Sequence, residues 1–341
     1  MKQQAITRIF PLGFPWETMD PFLFCVHHED FYPAGNGHFG PRGSLTGRNL
    51  GQDFAIKDGW RMYHGQKIPG FPVHPHRGFE TVTVVRRGII DHADSLGAAG
   101  RYGGGDVQWM TAGRGVQHAE MFPLLNENKE NTLELFQIWL NLPQVNKMVE
   151  PHFTMLWREA LSNFVTQDSD GKRIEIEVTA GAIGNVQPLA TPPDSWAADA
   201  DNHVAIWTIK LDRGAKWQLP ASVRGLNRAL YFFKGSTLKI AGEKIAVKNG
   251  VQLLSDIDVL LENSGDACEL LLLQGRPINE PVVQHGPFVM NTRAEIEKAF
   301  ADYRDTEFGG WPWPSADPVH GPTRGRFAKH MDGRVEEPGG W

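Results

Sequence analysis

Apolar and polar residues alternate with a period of two along much of this chain, in short runs broken by Gly, Pro, Asn and Asp. That period turns one face of each run inward and the other toward water, as β-strands require. Residues 172–179 show it clearly, with Ile174, Ile176 and Val178 on one face and Glu175 and Glu177 on the other. Further strands are predicted near 6–10, 21–26, 79–86, 89–93, 106–111, 115–121 and 132–141, and again near 203–211, 228–234, 236–241, 244–248, 251–255, 258–262 and 268–274. The second series repeats the order of the first, with Ala229 to Phe233 standing where Phe79 to Val85 stood. Only one stretch carries a convincing helical period. Thr292 and Glu295 make a capping box, and Ile296, Phe300 and Tyr303 then fall on one face. The expected fold is all-β: two tandem antiparallel β-barrels of the jelly-roll kind with one C-terminal helix.

Four segments stand outside this alternation. His27 to Gly70 is rich in Gly, Asn, His and charge and reads as a long loop. Within it His27, His28, Glu29, Asp30 and His64 offer either a second metal cluster or, as the blander reading, solvated loop residues. Residues 143–165 read as a crossover with at most a short helical turn, and 190–202 as a polar, proline-containing loop. Past Phe308 the tail is punctuated by Gly and Pro, and its tryptophans Trp311, Trp313 and Trp341 are expected to anchor it irregularly on the surface. The expected division is therefore 1–145, 146–306 and an irregular tail over 307–341.

Composition narrows the class. The 341 residues include 37 Gly and 23 Pro, a level of punctuation that suits many short strands and turns. A net charge of −6 offers no global basic footprint for direct binding of nucleic acid. No apolar run is long enough to span a bilayer, and residues 1–11 lack an apolar segment of signal-peptide length. Cys25 and Cys268 each lie in an apolar strand-like segment and read as buried thiols rather than a disulfide framework. A cytoplasmic protein is expected.

The candidate chemistry lies in two i, i+2 pairs. His74 and His76 sit at the mouth of the strand-like run HPHRGFETVTVV, and side chains two apart on a strand share a face. His118 and Glu120 repeat the spacing in GDVQWMTAGRGVQHAE. Either pair alone reads as a solvated strand end. Together, with hairpin turns between them, they make a set of three imidazoles and a carboxylate suited to a divalent transition metal. His92, on a hairpin return, reads as a surface residue or one standing behind the ligands.

HPHRGFETVT followed by GDVQWMTAGRGVQHAEM resembles the pirin family of the cupin superfamily, and the likeness continues through LFQIWLNL, KMVEP and GRPINEPVVQHGPFVMNT. The resemblance implies that His74, His76, His118 and Glu120 match the family's iron ligands. Iron(II) is the implied metal; manganese, cobalt, nickel and copper suit the same donors. In the second barrel the place of His118 to Glu120 falls near Val259 to Glu262, so that barrel is expected to hold no metal. Measured against the family pattern, about 28–68 is an insertion. The implied activity resembles that of flavonol 2,3-dioxygenases, which cleave quercetin with molecular oxygen. Glu120 would serve as both ligand and base, and the partners would be a small aromatic substrate and O2. The alternative that the resemblance carries is an iron-dependent redox sensor that binds a protein partner in transcription.

Overall fold

A computed structural model of the protein describes residues 4–340. Among them one α-helix, Arg293–Thr306, accompanies a chain otherwise built of strands and short 3-10 turns. The capping box is present, with the Thr292 hydroxyl accepting from the Glu295 N–H and the Glu295 carboxylate accepting from the Thr292 N–H. No helix among the described residues is long and apolar enough to cross a membrane.

The chain forms two compact units, each made of antiparallel sheets that share a core. One holds the residues up to Cys25 together with Ala160–Asn279. Its seven-stranded sheet runs in the order Ile6–Pro11, Asn249–Leu253, Asn227–Lys234, Cys268–Gly275, Ala205–Leu211, Arg173–Ala180, Ser162–Gln167. Its four-stranded sheet runs Lys216–Leu219, Val259–Asn263, Thr237–Ile240, Glu243–Ala246. Ile174, Ile176 and Val178 point inward as their alternation requires and pack with Trp207, Leu230 and Leu272 from the same sheet and Trp217, Leu219 and Leu261 from the other. Glu175 and Glu177 take the opposite face.

The other unit holds Val26–Glu159 and the chain from Glu280 onward. Its five-stranded sheet runs His152–Leu156, Val107–Thr111, Phe79–Arg87, Asn131–Asn141, Phe22–Tyr32. Its six-stranded sheet runs Val335–Glu336, Phe327–Lys329, Ala99–Gly103, Ile89–Asp94, Val116–Met121, Gly70–His76. The strand orders of the two units correspond, so the repeat seen in the alternation is a repeat of topology. The helix belongs to this unit, where Arg77 donates to Asp302 at 2.8 Å and Tyr303 donates to Gln117 Oε1 at 2.8 Å.

Several elements depart from the pattern reading. His74 and His76 do not open the strand that carries Val82 to Val85; they lie on their own strand, Gly70–His76. The break falls at Arg77 and Gly78. Gly78 has a φ of 85°, and a Cβ there would meet the Val289 carbonyl oxygen at 2.0 Å, so only glycine fits. The segment 143–165 contains the strands His152–Leu156 and most of Ser162–Gln167. Ser162–Gln167 is an edge strand with no fully buried residue, which leaves its apolar signal weak.

The tail is also more ordered than its composition suggests. Phe327–Lys329 pairs with Ala99–Arg101, and two buried arginines strap the segment down. Arg101 binds Asp91 at 2.6 and 2.7 Å and donates to the carbonyls of His320, Gly321 and Arg324, while Arg326 binds Asp106 at 2.7 Å. Trp313 anchors on the Asp94 carbonyl at 2.7 Å, and Trp311 donates within the tail to Ser315. Trp341 lies outside the described residues.

Between Pro33 and Pro69 the chain has isolated bridges but no regular strand or helix. His27 to Asp30, however, are strand residues rather than loop residues, and they do not gather as a metal cluster among the described residues. They lie on the strand Phe22–Tyr32, and His28 and Asp30 are buried. Arg61 grips the Asp30 carboxylate at 2.9 and 3.1 Å, Tyr63 donates to it at 2.5 Å, and His28 Nδ1 lies 2.7 Å from the Tyr63 hydroxyl. His64 Nδ1 meets the Gly51 carbonyl at 2.7 Å.

Candidate metal centre

The strands Gly70–His76 and Val116–Met121 are antiparallel neighbours, and their register places His74 directly opposite His118. A register shift between Phe71 and His74 sets this pairing. Since His76 is two residues from His74, all three imidazoles reach the same space. Their available ring nitrogens lie within 4.8 Å of one another. Ring centroids are 4.5 Å apart for His74 and His118, 4.8 Å for His74 and His76, and 4.9 Å for His76 and His118.

The hydrogen bonding of these rings fits a metal. His74 Nδ1 donates to the Pro72 carbonyl at 2.8 Å, which fixes the proton on that nitrogen and leaves Nε2 as a lone-pair donor. Among the described residues both ring nitrogens of His118 are buried without a hydrogen-bond partner, and the His76 ring has the Pro287 backbone beside it. Each neutral ring carries one lone-pair nitrogen, and a buried lone pair left unmatched is costly unless a cation in this space accepts it. Burial also holds the His74 imidazole down to about 4, and those of His76 and His118 well below the ordinary histidine value, so all three are neutral ligands near pH 7.

Glu120 stands beside this cluster rather than within it. Its Oε2 is 3.7 Å from His118 Nε2, and its Oε1 receives the Thr83 hydroxyl at 3.2 Å. Burial raises its carboxyl above the ordinary value, against the pull of His92 and of hydrogen bonds from Thr83 and Tyr102. His92 is fully buried, which overturns its reading as a surface residue. It lies opposite Glu120 in register, stacks on Phe153 with ring centroids 5.2 Å apart, and has its ring 5.5 Å from that of His118. Thr83 and Tyr102 were not singled out in the sequence. Alternation along Phe79–Arg87 puts Thr81 and Thr83 on one face, a signal for Thr83; Tyr102 sits among glycines and gave none.

Aromatic side chains flank the imidazoles on two sides. Phe71, half-buried, has its ring 6.3 Å from that of His74 and 5.0 Å from that of Tyr63, so the buried Asp30 and Arg61 network backs it. Phe79 and Trp139 lie 5.1 and 5.5 Å from His76. Lys147, from KMVEP, is buried and donates to Gly78 O and Asn141 Oδ1 at 2.8 Å each, pinning the turn that follows His76.

In the other unit the corresponding strand pair is Lys216–Leu219 with Val259–Asn263, in which Trp217 faces Leu261 and Leu219 faces Val259. Apolar core residues thus occupy the positions that carry the histidines.

Two family profiles match the chain: Pirin over residues 40–140, and the Pirin C-terminal cupin domain over residues 206–309. Pirin of Rattus norvegicus is 36% identical over 252 residues, covering 72% of this chain and 80% of that one. A Pseudomonas aeruginosa protein whose name assigns it, provisionally, quercetin 2,3-dioxygenase activity is 37% identical over 244 residues, or 71% of this chain and 80% of its own. Among solved structures, a quercetin 2,3-dioxygenase from Acinetobacter baumannii superposes with a TM-score of 0.68 at 27% identity, covering 90% of this chain and 96% of that one.

Proposed function

This chain belongs to the pirin family of cupins, and from that premise we propose that it is a metal-dependent dioxygenase that cleaves a small aromatic substrate, a flavonol such as quercetin, with O2. The observation that carries the reading is the convergence of three neutral, buried imidazoles beside a buried carboxyl of raised basicity. His74, His76 and His118 hold the metal, with Glu120 as fourth ligand and base. A divalent transition metal supplies Lewis acidity there, lowering the pKa of a substrate hydroxyl. Iron(II) is our first choice, and manganese, cobalt, nickel and copper suit the same donors.

The remaining work falls to side chains. The Pro72 carbonyl orients His74. Glu120 takes the hydroxyl proton, and the Thr83 and Tyr102 hydroxyls hold its carboxylate in place between transfers. The faces of Phe71 and Trp139, both half-buried, give an aromatic ring an apolar wall beside the imidazoles. Two buried thiols and the lack of any apolar membrane-spanning helix among the described residues accord with a cytoplasmic setting.

The test is anaerobic reconstitution of the stripped protein with each of the five metals, followed by oxygen uptake over a panel of flavonols and catechols. We expect uptake with a flavonol and release of carbon monoxide. Uptake no greater than in the metal-free control, for every metal and substrate, would refute the enzyme and leave the redox-sensor reading in its place.

A further inference from the structure

The unit without the histidine cluster contains a cavity of about 540 Å³. Its floor is a row of residues directly opposite one another on three adjacent strands, Ala205, Gln274 and Arg228. Directly opposite residues of antiparallel strands share a face. The next row on that face is Trp207, Leu272 and Leu230, all in the hydrophobic core, so Arg228 also lies on the inward face, at the cavity.

A buried guanidinium in such a place requires explanation. Arg228 is only 2% exposed. Its Nε donates to Gln274 Oε1 at 2.6 Å and its Nη1 to the Pro220 carbonyl at 2.9 Å, both neutral acceptors. Gln274 is held in turn by the His203 carbonyl. Nη2 makes no hydrogen bond among the described residues, and no carboxylate there forms an ion pair with Arg228. Asp258 favours its charge from a distance, but Asp258 Oδ1 is taken by the Ala221 N–H at 2.6 Å. Burial lowers the Arg228 guanidinium to about 10, so it remains a cation at neutral pH. Buried charges are ordinarily paired.

The mouth of the cavity is a built structure. The polar loop over 190–202, which the metal centre does not use, is fixed by the Ser195 and Asp199 caps, by Asn202 donating to the Trp196 carbonyl at 2.9 Å, and by Trp196 donating to the Arg276 carbonyl at 2.9 Å. The Asp199 carboxylate on this rim accepts the Asp201 N–H. Ser222, His203 and Trp207 line the same space, with the Trp207 indole donating to the Gly181 carbonyl at 2.9 Å.

We propose that this cavity binds a small organic carboxylate, its two oxygens received by the Nη edge of Arg228 and its apolar body packed against Trp207. A planar guanidinium matches a carboxylate with two parallel N–H bonds, and the volume suits a small molecule. The second cupin thereby has a binding role of its own that needs no metal.

The probe is benzoate, titrated by calorimetry into the full-length protein, with benzamide as the neutral isostere. We expect one benzoate per chain, and affinity at least about tenfold weaker for benzamide and for Arg228→Met, because each lacks one half of a charge-assisted pair. Metal content and the circular dichroism spectrum report whether Arg228→Met is folded. Should it fail to fold, Ala198→Trp decides instead, since it obstructs the mouth without touching the guanidinium. Undiminished benzoate binding in folded Arg228→Met, or in Ala198→Trp when that variant decides, overturns the proposal. So does the lack of saturable binding by about 10 mM benzoate, beyond any affinity of consequence.

Discussion

Three histidines and one glutamate divide the work of the candidate centre unequally, and substitution separates their roles. His74, His76 and His118 converge within 4.8 Å, so replacing any one with alanine should remove most of the metal and all turnover. Glu120, at 3.7 Å from His118 Nε2 and held by Thr83, should behave differently. Glu120→Gln keeps the shape without the basicity, and we expect it to retain most of the metal while turnover per bound metal falls by about 100-fold. Elemental analysis beside oxygen uptake measures both; near-normal turnover per metal would make Glu120 a ligand only. The imidazoles also set a pH dependence in the metal-free protein. Burial lowers the pKa values of His28, His74, His76 and His118, so the unfolded chain binds protons that the folded chain refuses. Their contribution is complete above the ordinary histidine pKa of about 6.5 and is lost as pH falls toward about 4. The lowered His320 imidazole adds to these four, and the raised carboxyls of Glu120, Asp30 and Asp106 act in the opposite sense. The urea midpoint of the stripped protein should therefore drop between about pH 7.5 and pH 5.5; a flat midpoint would contradict this reading.

At the scale of elements, the segment 28–68 is the feature with most bearing on substrate choice. Only its first residues are strand; the rest is irregular, yet Arg61 and Tyr63 are locked onto Asp30, and the Tyr63 and Phe54 rings lie 5.0 and 6.3 Å from Phe71. Phe71 in turn neighbours His74. This arrangement motivates the hypothesis that the segment covers the metal site and limits which substrates enter. Replacing residues 44–58 with a short linker keeps the side-chain contacts among Asp30, Arg61 and Tyr63 but removes the backbone pairing of Asp53 with Tyr63. It should raise KM or widen the range of flavonols accepted, by roughly tenfold in kcat/KM, with metal content intact. Steady-state kinetics over the same panel is the check, and identical constants for every substrate would dispose of the cover.

For the molecule as a whole, duplication has produced two units of one topology with different interiors. In one, the strand pair Gly70–His76 and Val116–Met121 presents histidines; in the other, the equivalent pair presents Trp217, Leu219 and Leu261 to the core. The two cysteines take no part in either site. Cys25 and Cys268 are free and buried, and burial pushes the Cys268 thiol up to about 12 and that of Cys25 higher still. An aromatic disulfide reagent should find no reactive thiol in the native protein and two after denaturation, because the thiolate is the nucleophile. Rapid labelling of either cysteine in the native state would show that its unit opens.

The all-β class, the duplication and the helix cap were legible in the sequence because each rests on spacing along a few residues: period two in the strands, period 3.6 from Ile296 to Tyr303, and three residues from Thr292 to Glu295. The pairing of HPH with HAE was legible for the same reason, since i, i+2 residues share a strand face whatever the strand adjoins. What adjoins it was decided in three dimensions. A register shift set His74 against His118, and strand pairing buried His92 opposite Glu120. Arg61 and Tyr63 reached back to Asp30, and Arg326 to Asp106, turning charged loop and tail residues into interior ones. Arg228 belongs with these. Nothing within a few residues of it distinguishes it from a surface arginine; its burial comes from Gln274, 46 positions away, and from the strands on either side. Periodicity reports which way a side chain points, while burial and partners depend on contacts between residues far apart in the chain, and those exist only once the sheets have closed over one another.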